Sequence, residues 1–460
     1  MATQFVLNGE ARRGEFEPGR TVLDFLRLEA RLTGTKEGCA EGDCGACTVA
    51  LGRKAGEGLS FTAVNSCIML ASDLDACVVV TSEGLAAGAA LSGAQAAMVA
   101  LHGSQCGFCT PGFVVSLFAL SQNPPAADKE EAVLDALAGN LCRCTGYRPI
   151  LAAAAALDYV PDPRIGAWRA ALDTLPADDA PKTLAALDAA LAAAPGAKLT
   201  AGTTDIGVGV AKHGNVPAGM ISLRAVAALK TITETPAHLE IGAMVTYSEA
   251  LPYLDKYFEN FAALVRRIGS VQIRNLGTMG GNVCNASPIG DSAPCLIALD
   301  AVFLLRSAAG EREVAAEDFF LGYRKTALGA GEYLRAIRIP YLAKNETFYA
   351  YKLAKRFDQD ISTVAGAFLL GVEDGVIKRA RAAFGGMAAT PIRAKSIEAA
   401  LAGEDCVEAT FIAAGAQVAA SFQPISDVRA SAAYRLHCAE GFLRRLGAQT
   451  QAQPADIWAL

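Results

Sequence analysis

Cysteine placement constrains this chain more than any other feature. The 460 residues hold 13 cysteines, and nine lie before residue 145. Eight of those nine fall into two groups. Cys39, Cys44 and Cys47 give C-x4-C-x2-C, and Cys67 follows after 19 intervening residues. This is the plant-type [2Fe–2S] spacing. Three thiolates can reach one metal centre from one loop only if the loop curls around it. Gly38, Gly42 and Gly45 permit that curl, because glycine tolerates positive φ and lets backbone N–H groups approach the sulfur atoms. Zinc knots favour two separate C-x2-C pairs, so the shared-residue pattern favours the cluster. Cys77 belongs to the following strand and is expected in the core.

The second group is Cys106-Gly107-Phe108-Cys109 with Cys142-Arg143-Cys144, giving C-x2-C and C-x-C. Each pair sits at a helix boundary: Thr110-Pro111 opens one helix and Gly139-Asn140 closes another. A helix N-terminus facing a metal centre stabilises its negative charge. C-x-C is tighter than a usual zinc knuckle, and only His102 is near, which disfavours a Rieske centre. Spacing alone leaves both [2Fe–2S] and zinc open here.

An odd cysteine total, with no charged and apolar leader at Met1-Ala2-Thr3-Gln4, argues for reduced thiols and a cytoplasmic chain. No apolar run reaches membrane-span length. The net charge is −6 and no basic block stands out, so neither nucleic acid nor an anionic membrane is an expected partner. With 52% hydrophobic and 19% charged residues, a sizeable core is expected.

The pattern along the chain predicts a multidomain α+β protein. Residues 1–81 read as β-rich with one helix. Gln4–Leu7 is a strand, Asn8-Gly9 a hairpin turn, and Thr21 a helix cap. Residues 82–155 read as a helical bundle, with helices at 92–101, 111–120 and 128–138 and a break at Pro124-Pro125. Four prolines make 156–181 a linker by composition, although Ile165, Trp168 and Leu172 recur at helical spacing. Residues 182–345 are mixed α/β. Residues 346–460 read as α+β with a closing helix over 431–446.

Two glycine segments stand out in the mixed region. Leu199-Thr200-Ala201-Gly202-Thr203-Thr204-Asp205-Ile206 is a strand entering a small-residue turn that offers N–H donors and hydroxyls to a pyrophosphate. Gln272 to Asn282, continuing through Ala286 to Asp291, reads as a glycine-rich connection or a ligand cradle. No G-x-G-x-x-G fingerprint exists, so a separate dinucleotide domain is not expected. Cys284 and Cys295 read as packing.

The segments Gln105–Gly112 and Gly139–Tyr147 resemble the second iron–sulfur domain of the molybdenum hydroxylase family, which includes xanthine dehydrogenases, aldehyde oxidases and carbon monoxide dehydrogenases. The two glycine segments resemble the FAD-binding domain of xanthine dehydrogenases, as do Phe319–Thr326, Ile337–Pro340 and Tyr351-Lys352. Ser426–Arg435 resembles the family's flavoprotein C-terminal domain. The resemblance implies four domains: a plant-ferredoxin-like β-grasp domain, a helical [2Fe–2S] domain, an α/β FAD-binding domain and an α+β C-terminal domain. It implies that all eight cysteines bind clusters. It places Leu199, Thr200, Ala201, Gly202, Thr203, Thr204, Asp205 and Ile206 on FAD, with Thr278, Met279, Gly280, Gly281 and Asn282. Ile268, Asp291, Leu334 and Lys352 then line the flavin or its phosphates. Position 268 departs from the family's aromatic residue. Tyr323, Asp358 and Asp360 become candidates for contact with NAD.

The resemblance further implies an xanthine dehydrogenase type of small subunit. A molybdenum-cofactor large subunit would be its partner, in an (αβ)2 heterotetramer, since nothing before Leu460 suits a molybdenum pterin. Electrons would run from purine oxidation on the partner through both clusters to FAD and NAD, and no side-chain acid or base is assigned. The rivals are the equivalent subunit of another molybdenum hydroxylase, a stand-alone NADH–acceptor reductase, and a scaffold with zinc in the second site.

Overall fold

A computed structural model describes residues 2–86, 88, 90–123, 128–176 and 180–451. The break expected at Pro124-Pro125 and the chain end at Leu460 lie outside the described residues. The chain divides into two compact units. The first takes residues 1–182, 196–225 and 269–277; the second takes 183–195, 226–268 and 278–460.

The first unit is organised by a five-stranded sheet. Its spatial order is Glu10–Glu15, Ala2–Leu7, Val78–Val80, Thr48–Ala55, Gly58–Asn65. Ala2–Leu7 pairs antiparallel with Glu10–Glu15 and parallel with Val78–Val80. The Asn8-Gly9 turn has both residues at positive φ (51° and 95°), as a two-residue hairpin needs. Side chains alternate between faces, and both faces are covered. Phe5, Leu7, Val49, Leu51 and Val79 join Val22, Leu26 and Met69. Val6, Ala50, Val78 and Val80 join Met98, Phe113 and Val115 on the other face.

Thr21 caps the expected helix by accepting from the Asp24 amide (3.1 Å). The helix then widens into a π-type turn over Phe25–Glu29, closed by Ala30 N–H to the Phe25 carbonyl (2.9 Å). This widening accompanies edge-on packing of the Phe25 ring against Phe5 and Phe16.

The helices Gly93–Ala100, Thr110–Gln122 and Lys129–Ala138 follow the predicted spacing, and a fourth helix that it does not predict, Arg148–Ala155, completes the bundle. Ser92 and Gln95 form a reciprocal capping box. Ser92→Ala is expected to lower stability by about 1 kcal/mol in urea denaturation, with Ser92→Asn close to wild type.

The proline-rich stretch 156–181 carries the helix Ile165–Asp173 that its spacing predicts. Trp168 is buried there, edge-on to Phe61 and Phe118 at 5.7 and 6.4 Å. Much of this stretch is therefore fastened to the unit rather than spanning open solvent.

The first unit also holds one β-α-β element. Lys198–Thr200 runs parallel to Met220–Ser222, joined through the helix Thr204–His213. Parallel strands need such a crossover.

The second unit holds two larger antiparallel sheets and the two-stranded pair Phe320–Gly322 and Lys325–Thr326. Five strands take the order Gly310–Ala315, Val302–Ser307, Tyr333–Pro340, His238–Gly242, Ile232–Glu234. The helices Tyr247–Tyr257, Glu259–Arg266 and Ser292–Ala298 pack into the same core as this sheet. The region expected as α/β thus combines one parallel pair with a wholly antiparallel sheet. Four strands form a meander: Glu346–Leu353, Val364–Glu373, Val376–Gly385 and Ile392–Arg393. The helix Ala432–Thr450, capped by Ser431, packs Leu443 and Leu446 into the core holding Phe368 and Phe384. Full burial of such side chains stabilises by roughly 1.5–3 kcal/mol each. Among the described residues no helix is long and apolar enough to cross a membrane.

Candidate functional site

The loop carrying Cys39, Cys44 and Cys47 curls through positive φ at Ala40, Gly42 and Gly45 (55°, 83° and 68°). The glycines also leave room. A Cβ on Gly38 would lie 2.7 Å from Cys44 Sγ, and one on Gly45 would lie 2.2 Å from the Gly139 carbonyl oxygen. The buried Asn65 anchors the loop by donating to the Gly42 carbonyl (2.6 Å). Cys67 follows the strand that ends at Asn65, and Cys47 and Cys67 are both buried.

Cys39 Sγ accepts from the amides of Glu41, Asp43 and Cys44 at 3.4, 3.3 and 3.3 Å. The Cys44 and Cys67 thiols also donate to it, and together these donors hold the Cys39 thiol far below its usual range despite partial burial. The Cys67 thiol likewise lowers Cys47, while Cys44 and Cys67 are pushed up as donors. The three backbone amides turned onto Cys39 Sγ favour negative charge on that sulfur, as a thiolate ligand requires.

In the second group Cys109 sits at the start of Thr110–Gln122, with Pro111 in its first turn. Cys109 lies beside Cys142, and Cys106 beside Cys144. Cys106 and Cys144 are exposed; Cys142 is buried. Burial and the Cys142 neighbour push Cys109 up to about 12. Burial opposes ionisation of Cys142, but the Thr145 hydroxyl (3.2 Å) and amide (3.5 Å) bring it down to about 7. Among the described residues, no three or more His, Cys, Asp or Glu side chains are placed to hold one metal ion as they stand.

The two thiol loops touch. The Leu141 amide donates to the Cys44 carbonyl at 2.9 Å, so one hydrogen bond joins a residue of the first group to the neighbour of Cys142. Beside it, the buried Asn140 donates to the Gly45 carbonyl (3.1 Å) and accepts from Ser116 (2.7 Å) and Gln272 (2.9 Å). Asn140 and Gln272 are 132 residues apart, and no local pattern marks their contact.

The turn after Thr200 lies against the first thiol group. A Cβ on Gly202 would lie 1.7 Å from the Leu276 carbonyl oxygen, and one on Gly207 would lie 1.8 Å from that of Ile68. Val208 and Ile273 pack on Cys47, Cys67 and Ile68. Thr203 takes φ 57° and donates to the buried Asp73 (3.0 Å). Leu199, Ala201, Thr204 and Ile206 are half-buried around this turn, and Asp205 is exposed in the first helical turn. A bare backbone turn flanked by hydroxyls suits a pyrophosphate.

The remaining candidates lie in the second unit. Thr278 caps Met279–Asn285 by accepting from Gly281 N–H (3.0 Å). A Cβ on Gly280 would meet the Ala243 backbone at 2.6 Å. Asn282 accepts from Ser292 (2.6 Å). Lys352 Nζ is buried, not solvated; it donates to Asp291 (2.6 Å) and to the Arg267 carbonyl (3.0 Å). Ser362 donates to the other oxygen of Asp291. Leu334 lies in the core, with Ile268 packed against it from a partly exposed position.

Tyr323 is exposed in the turn between Phe320–Gly322 and Lys325–Thr326. Asp358 is exposed. Asp360 instead staples its own loop: it accepts from the Arg356 and Ile361 amides at 3.0 and 3.1 Å, and these bonds lower it although burial opposes them. Ser362 and Asp73 carry no distinguishing local signal, since each acts through a distant partner.

Four family models match in order. A 2Fe-2S iron–sulfur cluster binding domain covers residues 5–72, and a [2Fe-2S] binding domain covers 81–155. The FAD binding domain in molybdopterin dehydrogenase covers 179–342, and the CO dehydrogenase flavoprotein C-terminal domain covers 349–450. Xanthine dehydrogenase of Emericella nidulans is 31% identical over 87% of this chain. The chain spans about a third of the length of the curated relatives it matches, 35% in that case. Among solved structures, a chain of Cu,Mo-CO dehydrogenase is 30% identical with a TM-score of 0.54, covering 58% of this chain and 93% of that one. A chain of quinoline 2-oxidoreductase from Pseudomonas putida 86 is 28% identical with a TM-score of 0.55, covering 60% of this chain and 99% of that one.

Proposed function

Because the chain belongs to the molybdopterin dehydrogenase family and carries its two [2Fe–2S] domains and its FAD-binding domain, we propose that it is the iron–sulfur and flavin subunit of a xanthine dehydrogenase. In this reading it carries electrons from hypoxanthine or xanthine oxidised at a molybdenum cofactor on a partner subunit, and delivers them to NAD. Cys39, Cys44, Cys47 and Cys67 would hold one cluster, and Cys106, Cys109, Cys142 and Cys144 the other. Leu199–Ile206, Ile268, Thr278–Asn282, Asp291, Leu334 and Lys352 would hold FAD, with Tyr323, Asp358 and Asp360 facing NAD. Bound clusters supply one-electron transfer, and bound FAD couples it to the two-electron chemistry of NAD.

The observation that carries the relay is the hydrogen bond from Leu141 to the Cys44 carbonyl. It connects the exposed second thiol group to the first, whose Cys67 and Ile68 in turn pack beside the Gly202–Gly207 turn. Electrons entering at the exposed cysteines have a short route of bonds toward the flavin segment. The buried Lys352 cation suits the carbonyl side of a flavin that gains negative charge on reduction. The relatives favour purine as the substrate class. The solved neighbours favour a second reading, in which the same relay serves carbon monoxide or an N-heterocycle. A cytoplasmic (αβ)2 assembly is part of the first reading.

The test uses the complex purified with whatever chain accompanies it. Two distinct low-temperature EPR signals, a flavin band and stoichiometric molybdenum are expected. Xanthine is expected to bleach the flavin anaerobically and to form NADH when NAD is added. Bleaching by quinoline or carbon monoxide, but not xanthine, selects the second reading. Reduction by NADH and by no hydroxylation substrate leaves the stand-alone reductase. Zinc with one EPR signal removes the relay.

A further inference from the structure

Beside the second thiol group stands an aromatic residue on a strained backbone. Tyr147 follows Cys144 by three positions and precedes the helix Arg148–Ala155. Its backbone is left-handed, with φ 67° and ψ −27°. For a bulky residue that conformation is an outlier costing roughly 1–2 kcal/mol. Glycine at this position would relieve the strain, and the preceding residue is already a glycine at φ 64°.

The strained backbone aims the phenol back at the cysteine loop. The Cys142 backbone N–H donates to Tyr147 Oη at 3.0 Å. The ring packs edge-on to Phe113, at 6.3 Å between centroids, and the Tyr147 amide donates to Thr145 Oγ1 (3.1 Å). The phenol is thereby held by the Phe113 ring and the Cys142 amide, and its backbone by Thr145.

The contrast with the first group gives this bond a meaning. There, three backbone amides, including that of Cys44 itself, turn onto Cys39 Sγ. In the second group the Thr145 hydroxyl and amide still reach Cys142 Sγ, but the amide of Cys142 itself is taken by an uncharged oxygen instead. Each N–H directed at a cluster sulfur favours the reduced form, which carries more negative charge, and raises the potential. An N–H held away has the opposite effect.

We propose that the Tyr147 hydroxyl withholds the Cys142 N–H from the second centre and thereby keeps that centre's reduction potential low. This rests on the reading that Cys106, Cys109, Cys142 and Cys144 hold a [2Fe–2S] cluster. Tyr147 is a positioning residue: it acts through a backbone amide and exchanges no electron or proton. A lowered second centre beside a first centre rich in donors favours electron flow from the exposed cysteines inward.

The experiment is a dithionite-mediated redox titration of the intact complex followed by EPR, which resolves the two centres separately. In Tyr147→Phe the freed amide can turn to the sulfur atoms. The second signal is expected to become easier to reduce, by about tenfold in its reduced-to-oxidised ratio at fixed ambient potential, or about 59 mV for one electron. The first signal stays where it was. Phe113→Leu, which loosens the ring that holds the hydroxyl in place, is expected to move the second signal in the same direction by less and to leave the first where it was. If Tyr147→Phe loses the cluster, fluorotyrosine at 147 keeps the shape and weakens the phenol as an acceptor. A smaller shift of the same sign in the second signal is then expected. An unmoved second signal, or equal movement of both, overturns the proposal. A wild-type complex with one EPR-active cluster overturns the underlying reading instead, and the proposal with it.

Discussion

Gly45→Ala is expected to destabilise the first unit by about 2–5 kcal/mol and to remove both EPR signals together. Two causes add. The residue sits at φ 68°, where an L side chain is strained by about 1–2 kcal/mol. The new Cβ would also lie 2.2 Å from the Gly139 carbonyl oxygen and 2.6 Å from Asn140 Nδ2. Neither atom can yield cheaply. Gly139 is backbone next to the second cysteine pair, and Asn140 is already bound to Gly45, Ser116 and Gln272. The clash therefore separates the two thiol loops at the point where they meet. Gly56→Ala is the matched control: its φ is 54°, and no atom lies within 4 Å of the added Cβ. It carries the conformational cost alone, about 1–2 kcal/mol. Urea denaturation with iron and sulfide analysis compares the pair. Equal losses in the two variants would show that the loop contact adds nothing.

Lys352→Met is expected to cost about 3–5 kcal/mol in the second unit, the usual consequence of removing one partner of a buried ion pair. The Lys352 and Asp291 side chains are 2% and 8% exposed. Methionine fills the stem's volume but leaves the Asp291 carboxylate with only the Ser362 hydroxyl as a described hydrogen-bond donor. It also leaves the Arg267 carbonyl without the lysine donor. Asp291→Asn in the same chain removes the stranded charge and is expected to restore part of the loss. Denaturation followed by far-UV circular dichroism measures both. If Lys352 and Asp291 also line FAD, the single variant releases flavin at lower denaturant than it unfolds. Equal stability of the single and double variants would mean that the charge pair is not what holds this site.

Much of the local architecture was legible in the residues themselves. Asn8-Gly9 fixes a hairpin because both positions tolerate positive φ. Ser92 and Ser431 start helices because a short hydroxyl side chain can accept from the first turn. The helical spacing of Ile165, Trp168 and Leu172 survives inside a proline-rich stretch because burial of Trp168 outweighs the composition. Such signals are short-range, and one chain segment carries each of them. The cysteine spacing carries the first iron–sulfur domain, and the resemblance of the later motifs carries the second and the FAD-binding domain, in agreement with the matching family models.

Tertiary structure alone decided how those pieces meet. Lys352 could have been a solvated strand lysine; folding brings it 61 residues back to Asp291 and buries the pair. Thr203 finds Asp73 across 130 residues, and Gln272 finds Asn140 across 132. The Tyr147 phenol could point anywhere until the Phe113 ring and the left-handed backbone aim it at Cys142. Hydrogen-bond partners of this kind depend on which backbones approach closely, and that is set by packing over the whole unit rather than by neighbouring residues. The cysteine spacing therefore determined that the chain has two sulfur-rich centres, while the fold decided that hydrogen bonds from Leu141 to the Cys44 carbonyl and from Asn140 to the Gly45 carbonyl join them.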